Sequence, residues 1–147
     1  MGMMTMSKDE REAFLAEARV GVLAVSSGGD AAAPLLTPIW YSYEPGGDVL
    51  MTTDAGSTKT AQLRSAGTAS LCVQTETAPY KYVVVEGTVS VDDGVDSSWR
   101  RDVARHYLGN ELGDMYADAT AESEPTAVTV RLTPSRWRTT DFGKQWA

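Results

Sequence analysis

A chain of 147 residues, 42% of them hydrophobic, is long enough to bury one core and short for two domains. With 13 Lys and Arg against 20 Asp and Glu, the formal net charge is -7, so a nucleic-acid backbone would be repelled on average. The opening Met-Gly-Met-Met-Thr-Met has no long apolar run, and we expect neither a signal peptide nor a membrane span. We therefore predict one soluble, cytoplasmic domain over residues 1–147, with a disordered stretch at 1–6 and a C-terminal tail at 135–147.

The sequence offers few ligands for a metal ion. Cys72 is the only cysteine and His106 is the only histidine. One residue of each type supplies neither a disulfide framework, nor a thiolate metal cluster, nor a four-ligand zinc site. We interpret both residues as structural and predict no metal site.

Local signals near the N-terminus predict a helix and then a strand. Ser7 and Glu10 match a capping box at the start of a helix over residues 7–18. Residues 20–26 form an apolar run that ends in Ser-Ser-Gly-Gly-Asp, which is typical of a strand followed by a turn. We expect the helix to lie on the surface of the sheet that this strand begins.

An aromatic strand pair is predicted next. Residues 33–44 and 48–53 flank a Glu-Pro-Gly-Gly turn, which predicts that they pair as an antiparallel hairpin. Pro38 interrupts the first run, and because proline cannot donate to a ladder, this position belongs at an edge, a strand start or a bulge. Trp40 and Tyr41 follow it, and an irregular aromatic edge can flank a planar ring. A kinked core strand explains the same residues equally well.

A helix start that suits an anion follows this pair. Ser57 succeeds a glycine and precedes Thr58, Lys59 and a run of helix formers, which predicts an N-cap at Ser57. The free N–H groups of the first turn, the helix dipole and the Lys59 ammonium would then converge on one small volume, where a phosphate fits. A capped surface helix with a solvated lysine is the alternative that so short a motif leaves open.

The second half of the chain begins with two strands. Residues 68–75 alternate between apolar and polar, and residues 80–92 form a longer run of strand-forming residues. We expect the longer strand to bend between sheets at Gly87, because glycine in a strand interior often marks a bulge.

Two helices are predicted after these strands. Asp96 or Ser97 caps a helix that runs through Leu108, and Gly109 stops it. A second helical segment covers residues 111–119. The first of these helices carries Trp99, Val103, Tyr107 and Leu108 at the spacing of one helix face.

The last predicted strand spans residues 126–133 and ends before Pro134. The aromatic and basic segment after it is compatible with packing across a partner, with lining a pocket or with a frayed end. Short antiparallel strands, with helices as caps and no regular strand-helix alternation, predict a mainly β fold with flanking helices, built as a six-stranded antiparallel Greek-key barrel.

Six short motifs occur in a characteristic order: Arg-Val-Gly-Val-Leu-Ala-Val (19–25), Thr-Pro-Ile-Trp-Tyr (37–41), Met-Thr-Thr (51–53), Ser-Thr-Lys (57–59), Ala-Ser-Leu-Cys-Val (69–73) and Tyr-Val-Val-Val-Glu-Gly (82–87). In order and spacing they resemble the pyridoxamine-phosphate-oxidase-like split-barrel superfamily over about residues 7 to 135. The sequence is most similar to its actinobacterial deazaflavin-dependent branch.

The resemblance implies a split β-barrel that forms a homodimer, with two sites for F420 or FMN at the subunit interface. It also implies the residues that contact the cofactor. The ring would lie along Thr37, Pro38, Ile39 and Trp40 and beside Met51, Thr52 and Thr53, the phosphate would lie at Ser57, Thr58 and Lys59, and the second subunit would add Gln74, Tyr80, Lys81 and Tyr82, with Trp137 closing the pocket.

The sequence departs from true pyridoxamine-phosphate oxidases after Pro134. It reads Ser-Arg-Trp-Arg-Thr-Thr-Asp where the resemblance calls for an Arg-x-His substrate signature, so we do not expect vitamin B6 chemistry. The resemblance implies an F420-dependent oxidoreductase that transfers a hydride to an unsaturated small molecule. An FMN-dependent oxidoreductase and a non-catalytic flavin- or F420-binding protein are the alternatives. Tyr41, Tyr80 and Lys81 are all candidate proton donors, and the sequence singles out none of them as catalytic.

Overall fold

Six antiparallel strands and four α-helices make up the computed structural model, which describes residues 2–30 and 32–146. The strands are β1 (Gly21–Val25), β2 (Leu35–Ile39), β3 (Val49–Asp54), β4 (Thr68–Gln74), β5 (Lys81–Asp93) and β6 (Ala127–Asp141). The helices are α1 (Lys8–Ala16), α2 (Thr58–Ala66), α3 (Ser97–Leu108) and α4 (Asn110–Ala119), with short 3-10 turns at Ala121–Thr126 and Phe142–Trp146.

One sheet contains all six strands in the order β2-β1-β4-β5-β6-β3. The curled sheet with flanking helices confirms the predicted fold class, a mainly β, six-stranded antiparallel Greek-key split barrel. β2 is an end strand, as expected for a strand that contains Pro38.

The two end strands of this sheet meet at a single point. The Ser42 N–H donates to the Leu50 carbonyl at 2.9 Å, and the Leu50 N–H donates to the Ser42 carbonyl at 3.0 Å. Beyond this bridge the backbones of β2 and β3 are not paired with each other within the described residues. The barrel is therefore closed at one end of this seam and open along the rest of it.

The predicted hairpin between residues 33–44 and 48–53 is wrong for most of its length. The turn itself forms, because the Gly47 N–H donates to the Glu44 carbonyl at 2.9 Å. However, β2 is hydrogen-bonded along its length to β1, and β3 is hydrogen-bonded along its length to β6. Each strand satisfies its backbone groups with a neighbour that is distant in sequence.

Alternation along the strands places one face of the sheet in the core. In β4, for example, Leu71 and Val73 are fully buried, and in β5 Val83 and Val85 are buried opposite them. The helices α1 and α2 cover this core by burying Phe14, Leu15 and Leu63. Burial of these apolar side chains is the main term that holds the barrel together.

The predicted helix caps are confirmed. Ser7 and Glu10 form a reciprocal capping box at α1, and the Asp96 carboxylate accepts the Trp99 N–H at 2.9 Å to cap α3. Gly109 ends α3 with a positive φ of 85°, a conformation that glycine adopts without strain. None of the described helices is long and apolar enough to cross a membrane.

β5 and β6 are joined by a bulge at the predicted bend, Gly87. Glu86 pairs with Arg136 and Gly87 pairs with Pro134, so Ser135 is the extra residue. A Cβ atom on Gly87 would lie 1.8 Å from the Thr133 carbonyl oxygen. Glycine is therefore required here by the close approach of the β6 backbone.

The bulge also corrects the predicted end of the last strand. We expected the strand to stop before Pro134, whereas β6 continues through it to Asp141. Pro134 is tolerated because the ladder is already interrupted at this position. The first part of the expected tail, residues 135–141, is consequently the second half of a long strand.

Residues 4–6 pack against the end of β6, where we expected disorder over residues 1–6; Met1 lies outside the described residues. The Asp141 N–H donates to the Met4 carbonyl at 2.7 Å, and the Met6 N–H donates to the Thr139 hydroxyl at 3.0 Å. Lys144 pairs with Glu10 at 2.6 Å. The two ends of the described chain are thus tied together beside α1.

Gly87→Ala is expected to lower the free energy of unfolding by about 2 kcal/mol, because the added methyl group forces the β5 and β6 backbones apart. Urea denaturation followed by circular dichroism measures the change. The matched control is Gly29→Ala, whose Cβ would have ordinary contact at 3.6 Å with Ala32. Equal midpoints for the two variants would show that the bulge tolerates a side chain.

Candidate functional site

The start of α2 has the cap that the sequence predicts. Ser57 has an extended backbone, with φ -74° and ψ 152°, and its hydroxyl oxygen accepts the Thr60 N–H at 3.1 Å. The Thr60 hydroxyl donates to the Asp54 carbonyl at 2.6 Å, which ties the first turn of the helix to the end of β3. Ser57 is therefore confirmed as the N-cap, and the end of β3 fixes its position.

Two backbone donors of this turn have no protein acceptor. The Ser57 N–H donates to the Asp54 carbonyl at 3.1 Å, and the Ala61 N–H makes the first intrahelical bond. In the described part of the chain, the N–H groups of Thr58 and Lys59 donate to no protein atom. They lie at the positive end of the α2 dipole, where an anion is stabilised.

Lys59 adds a positive charge to this helix start. Its side chain is half-buried, and burial lowers the pKa of its ammonium below the ordinary lysine value. Within residues 2–30 and 32–146, Lys59 has no ion-pair partner, whereas Arg64 on the same helix lies 3.4 Å from Asp93. A partly desolvated cation without a carboxylate is stabilised by a bound anion.

One acidic side chain lies in the turn that leads into this helix. The Asp54 carboxylate accepts the Gly56 N–H at 2.7 Å, and the Thr126 hydroxyl donates to its other oxygen at 3.4 Å. These two hydrogen bonds orient it within its own turn. Asp54 therefore organises the loop before Ser57, and the N–H groups of Thr58 and Lys59 remain available.

The seam between β2 and β3 and the start of α2 adjoin consecutive residues of β3. Ile39 and Trp40 on one side of the seam and Thr52 on the other line a cavity of about 160 Å³. One residue further along β3, the Thr53 hydroxyl lies 3.4 Å from the Ser57 hydroxyl. Because successive side chains of a strand point to opposite faces, the structure brings Thr53 to Ser57 but does not place the cavity beside Trp40 at the start of α2.

Trp40 is held by aromatic neighbours from the helices. Its ring is stacked on Tyr107 of α3 with the centroids 4.9 Å apart and an interplanar angle of 5°. The ring of Tyr116 in α4 is tilted against it at 5.2 Å. The Tyr107 hydroxyl also accepts the Tyr41 N–H at 3.2 Å and donates to the Arg19 carbonyl at 3.0 Å. Burial raises the pKa of Tyr107, so this hydroxyl stays protonated.

The other predicted ring residues differ in their access to a ligand. Met51 is completely buried and Ile39 is nearly so, so their side chains mainly pack in the core. Thr37 is half-buried and pairs with Leu23, whereas Pro38 is exposed on the outer side of β2. Any contact of Met51 with a cofactor would be made by its backbone.

The second predicted group lies on the β4–β5 hairpin, far along the sheet from the first. Gln74 pairs with Tyr82, and Lys81 pairs with Asp141 near the C-terminal end of β6. Thr53 of the first group pairs instead with Val128, near the N-terminal end of β6. Within one chain, the structure does not bring the two groups together.

The remaining singled-out residues have structural contacts. Trp137 packs edge-on against Tyr43 at 6.2 Å, and the Arg11 guanidinium lies 4.8 Å from the centre of its ring. His106 Nε2 lies 2.9 Å from the Glu17 carbonyl just after α1. No cluster of three or more metal-ligating side chains is found among the residues that the structure describes.

Comparison with known protein families now decides the identity of the fold. A family model described as pyridoxamine 5'-phosphate oxidase matches residues 7–141. The chain belongs to the pyridoxamine 5'-phosphate oxidase family. This match confirms the superfamily that the six sequence motifs resemble.

Solved structures similar to this family member include proteins with and without a stated ligand. A conserved hypothetical protein of Mycobacterium tuberculosis is 24% identical, with a TM-score of 0.77 over 100% of this chain and 92% of that one. A protein named F420 reductase is 17% identical, with a TM-score of 0.69 over 86% and 94%. A FAD-binding protein of Mesorhizobium loti is 20% identical, with a TM-score of 0.64 over 92% and 94%. These similarities establish the fold; no curated protein matches the sequence.

Sequence reasoning missed the contribution of the helices to the site of this family member. Trp99, Arg100 and Val103 of α3 and Tyr116 of α4 line the same cavity as Trp40. The helical spacing of Trp99, Val103 and Tyr107 predicts one shared face of α3. It does not predict which strands that face meets, because the contact is between elements distant in sequence.

Proposed function

We propose that this protein is an F420-dependent oxidoreductase that holds the cofactor phosphate at the start of α2 and the deazaflavin ring along the open seam between β2 and β3. The observation that carries the proposal is Lys59, a half-buried cation without a carboxylate partner in the described chain, beside two free backbone N–H groups. The similar fold of a protein named F420 reductase supports the same assignment.

The residues at the helix start fit a phosphate by their hydrogen-bonding capacity. Among the described residues the N–H groups of Thr58 and Lys59 have no acceptor, and the Lys59 ammonium supplies three more N–H donors. The Thr60 hydroxyl already donates to Asp54, so the contact of 2.9 Å between the Ser57 and Thr60 hydroxyls uses the Ser57 proton. A phosphate that accepts the Ser57 proton would therefore compete with Thr60 for it.

The seam offers fixed surfaces for a planar ring. Trp40 is immobilised by its stack on Tyr107, so the edge of β2 has one defined shape there. The Thr52 hydroxyl donates to the Val128 carbonyl at 2.9 Å, and its oxygen remains able to accept a hydrogen bond from a ring N–H. Rigid walls of this kind orient a ligand at a small entropic cost.

Reduced F420, when bound, would supply a hydride to an electrophilic carbon and become oxidised, and the other atom of the reduced double bond would take a proton from water or from an acid. The part of this chain is to orient the reactants and to exclude water. Tyr41 is an unsuitable acid, because it is buried, its hydroxyl donates to the Leu15 carbonyl at 2.8 Å, and burial raises its pKa. Tyr80 is exposed and stays a candidate.

The proposal includes a homodimer, which follows from the separation of the two residue groups along β6. A second copy would bring its own Gln74, Tyr80, Lys81 and Tyr82 to the seam that one chain leaves open. The outer face of the sheet supports this assembly, since the apolar side chains of Val22, Leu36 and Tyr82 are exposed there, Leu36 to 61%. Exposed apolar surface of this kind commonly marks a protein interface.

Lys59→Ala is expected to weaken F420 binding about tenfold or more, the scale of one charge-assisted contact. Titration followed by F420 fluorescence measures the dissociation constant. The matched control is Arg64→Ala on the same helix, which removes an exposed charge paired with Asp93 and is expected to leave the affinity unchanged. Equal affinity of the wild type and Lys59→Ala would remove the phosphate assignment.

Turnover is expected when the protein is mixed with reduced F420 and a panel of enones and quinones. The measurement is the return of the oxidised cofactor absorbance against a protein-free control. Oxidation of reduced F420 above that control would support the proposal that this protein is an enzyme. Tight binding of F420 without such oxidation would favour a protein that binds the cofactor and does not catalyse, and preference for FMN in parallel titrations would favour the flavin alternative.

Sedimentation at micromolar concentration is expected to show a dimer. Leu36→Asp places a charge on the outer face of the sheet and is expected to shift the species towards the monomer. Leu112→Asp changes an equally exposed leucine of α4, 58% accessible, and is expected to leave the dimer intact. A wild-type monomer would contradict the shared site.

A further inference from the structure

The cavity beside Trp40 extends beyond the residues assigned to the cofactor. It lies between the open seam of the barrel and the hairpin formed by α3 and α4. Its volume is about 160 Å³, and its lining consists of Ile39, Trp40, Thr52, Trp99, Arg100, Val103 and Tyr116. Four of these side chains, those from α3 and α4, have no part in the proposed cofactor contacts.

The size and the walls of this cavity suit one aromatic or alicyclic ring. Ile39, Val103 and the three aromatic side chains make the walls predominantly apolar. An apolar protein cavity of roughly 150 Å³ is large enough to bind benzene. A single six-membered ring therefore fits at 160 Å³, and two or three fused rings do not. The proposed deazaflavin ring would accordingly lie against the open edge of the seam, outside this cavity.

The walls are fixed before any ligand arrives. Trp40 is stacked on Tyr107, and the Trp99 Nε1–H donates to the Ser42 hydroxyl at 2.9 Å. The Thr52 hydroxyl donates to Val128. Because these side chains are already ordered, a ring that enters the cavity orders few protein groups, and more of its burial energy appears as affinity.

Arg100 gives the cavity its one charged donor. It is only 9% exposed, and its guanidinium donates to the carbonyls of Ala117 and Thr120, each at 3.3 Å, and to the Glu124 carboxylate at 3.3 Å. Its Nε–H donates to no group in the part of the chain that the structure describes. Since Glu124 already balances the charge of Arg100, a neutral oxygen acceptor matches this site better than a second carboxylate.

We propose that this cavity binds a single-ring compound that carries a carbonyl or phenolic oxygen, with Arg100 facing that oxygen and Val103 and Tyr116 setting the permitted ring size. The inference that this compound is the hydride acceptor rests on the proposed function. The inference that the cavity binds such a compound rests on the cavity alone and is tested without cofactor.

The test uses full-length, cofactor-free protein and four probes: phenol, cyclohex-2-enone, benzene and 1-naphthol. Binding is followed by tryptophan fluorescence, because Trp40 and Trp99 line the cavity, and by ligand-observed NMR. Phenol and cyclohex-2-enone are expected to bind at least tenfold more tightly than benzene, which lacks the oxygen, and than 1-naphthol, which has a second ring. Equal affinity for phenol and benzene would overturn the role of Arg100.

Two variants locate the binding site. Val103→Phe fills the cavity and is expected to weaken phenol binding at least tenfold, whereas Leu112→Phe on the exposed face of α4 is expected to leave it unchanged. Should Val103→Phe fail to fold, Tyr116→Ala answers the same question, because it removes one wall and is expected to admit 1-naphthol. Phenol binding that survives Val103→Phe, or 1-naphthol binding that does not improve in Tyr116→Ala, would refute the site.

F420 affinity is measured separately on the same preparations. Ring binding in a protein that does not bind F420 would leave the cavity assignment standing and remove the proposed function. F420 binding without any ring binding would remove the cavity assignment and leave the proposed function standing. F420 binding together with ring binding that neither variant changes would lead to the same conclusion.

Discussion

The shape of the candidate site depends on how the barrel closes, which in the described chain is by one bridge between Ser42 and Leu50. β2 is fully paired with β1 and β3 with β6, so the sheet curls until its two ends touch at this one point. A completely paired barrel of this size would fill its interior with side chains and have no exposed backbone edge. Because closure stops at one bridge, the edges that carry Trp40 and Thr52 remain apart, and helices outside the sheet have to cover the gap. The candidate site is therefore a consequence of strand order rather than of a dedicated loop.

Local geometry also reconciles an acidic chain with an anionic ligand. The net charge of -7 works against anions at long range, but salt screens that field over about 10 Å. At the start of α2, by contrast, Lys59 and two backbone N–H groups would act on a bound anion at contact distance, where screening is weak. The cost of half-burying Lys59 without a carboxylate is recovered when an anion binds. A net charge of -7 thus works against a long nucleic-acid backbone and still permits a small anion site of this kind.

Features with local causes were predictable from the sequence, and features with distant causes were not. The caps at Ser7, Ser57 and Asp96 follow from side chains and backbone within a few residues. The position of the bend was predictable from Gly87 itself, although the bulge there is formed with β6. The prediction that residues 33–44 and 48–53 pair as a hairpin was wrong for most of its length. A turn motif does not indicate which other strands pair with the same strand edges. The prediction ended the last strand, β6, too early at Pro134, because the bulge that accommodates this proline is formed jointly with β5. The role of α3 and α4 was missed for the same reason, since Tyr107 and Tyr116 contact Trp40 across about half of the chain.

The α3–α4 hairpin is held together by contacts between its own two helices. The binding of the cofactor and the selection of the compound that it reduces can therefore depend on different parts of one site. Asp114 accepts hydrogen bonds from Arg105 at 2.7 Å and from Arg101 at 3.0 Å, and these two guanidinium groups lower the pKa of Asp114 to about 2. The helices pack so closely that a Cβ on Gly113 would lie 2.5 Å from the Arg105 Cα. If the seam and α2 hold the cofactor while this hairpin shapes the adjoining cavity, substitutions on α3 and α4 can change the accepted ring without disturbing the phosphate contacts at Lys59. On that view, the barrel determines where a cofactor binds, and the hairpin determines which compound can approach it.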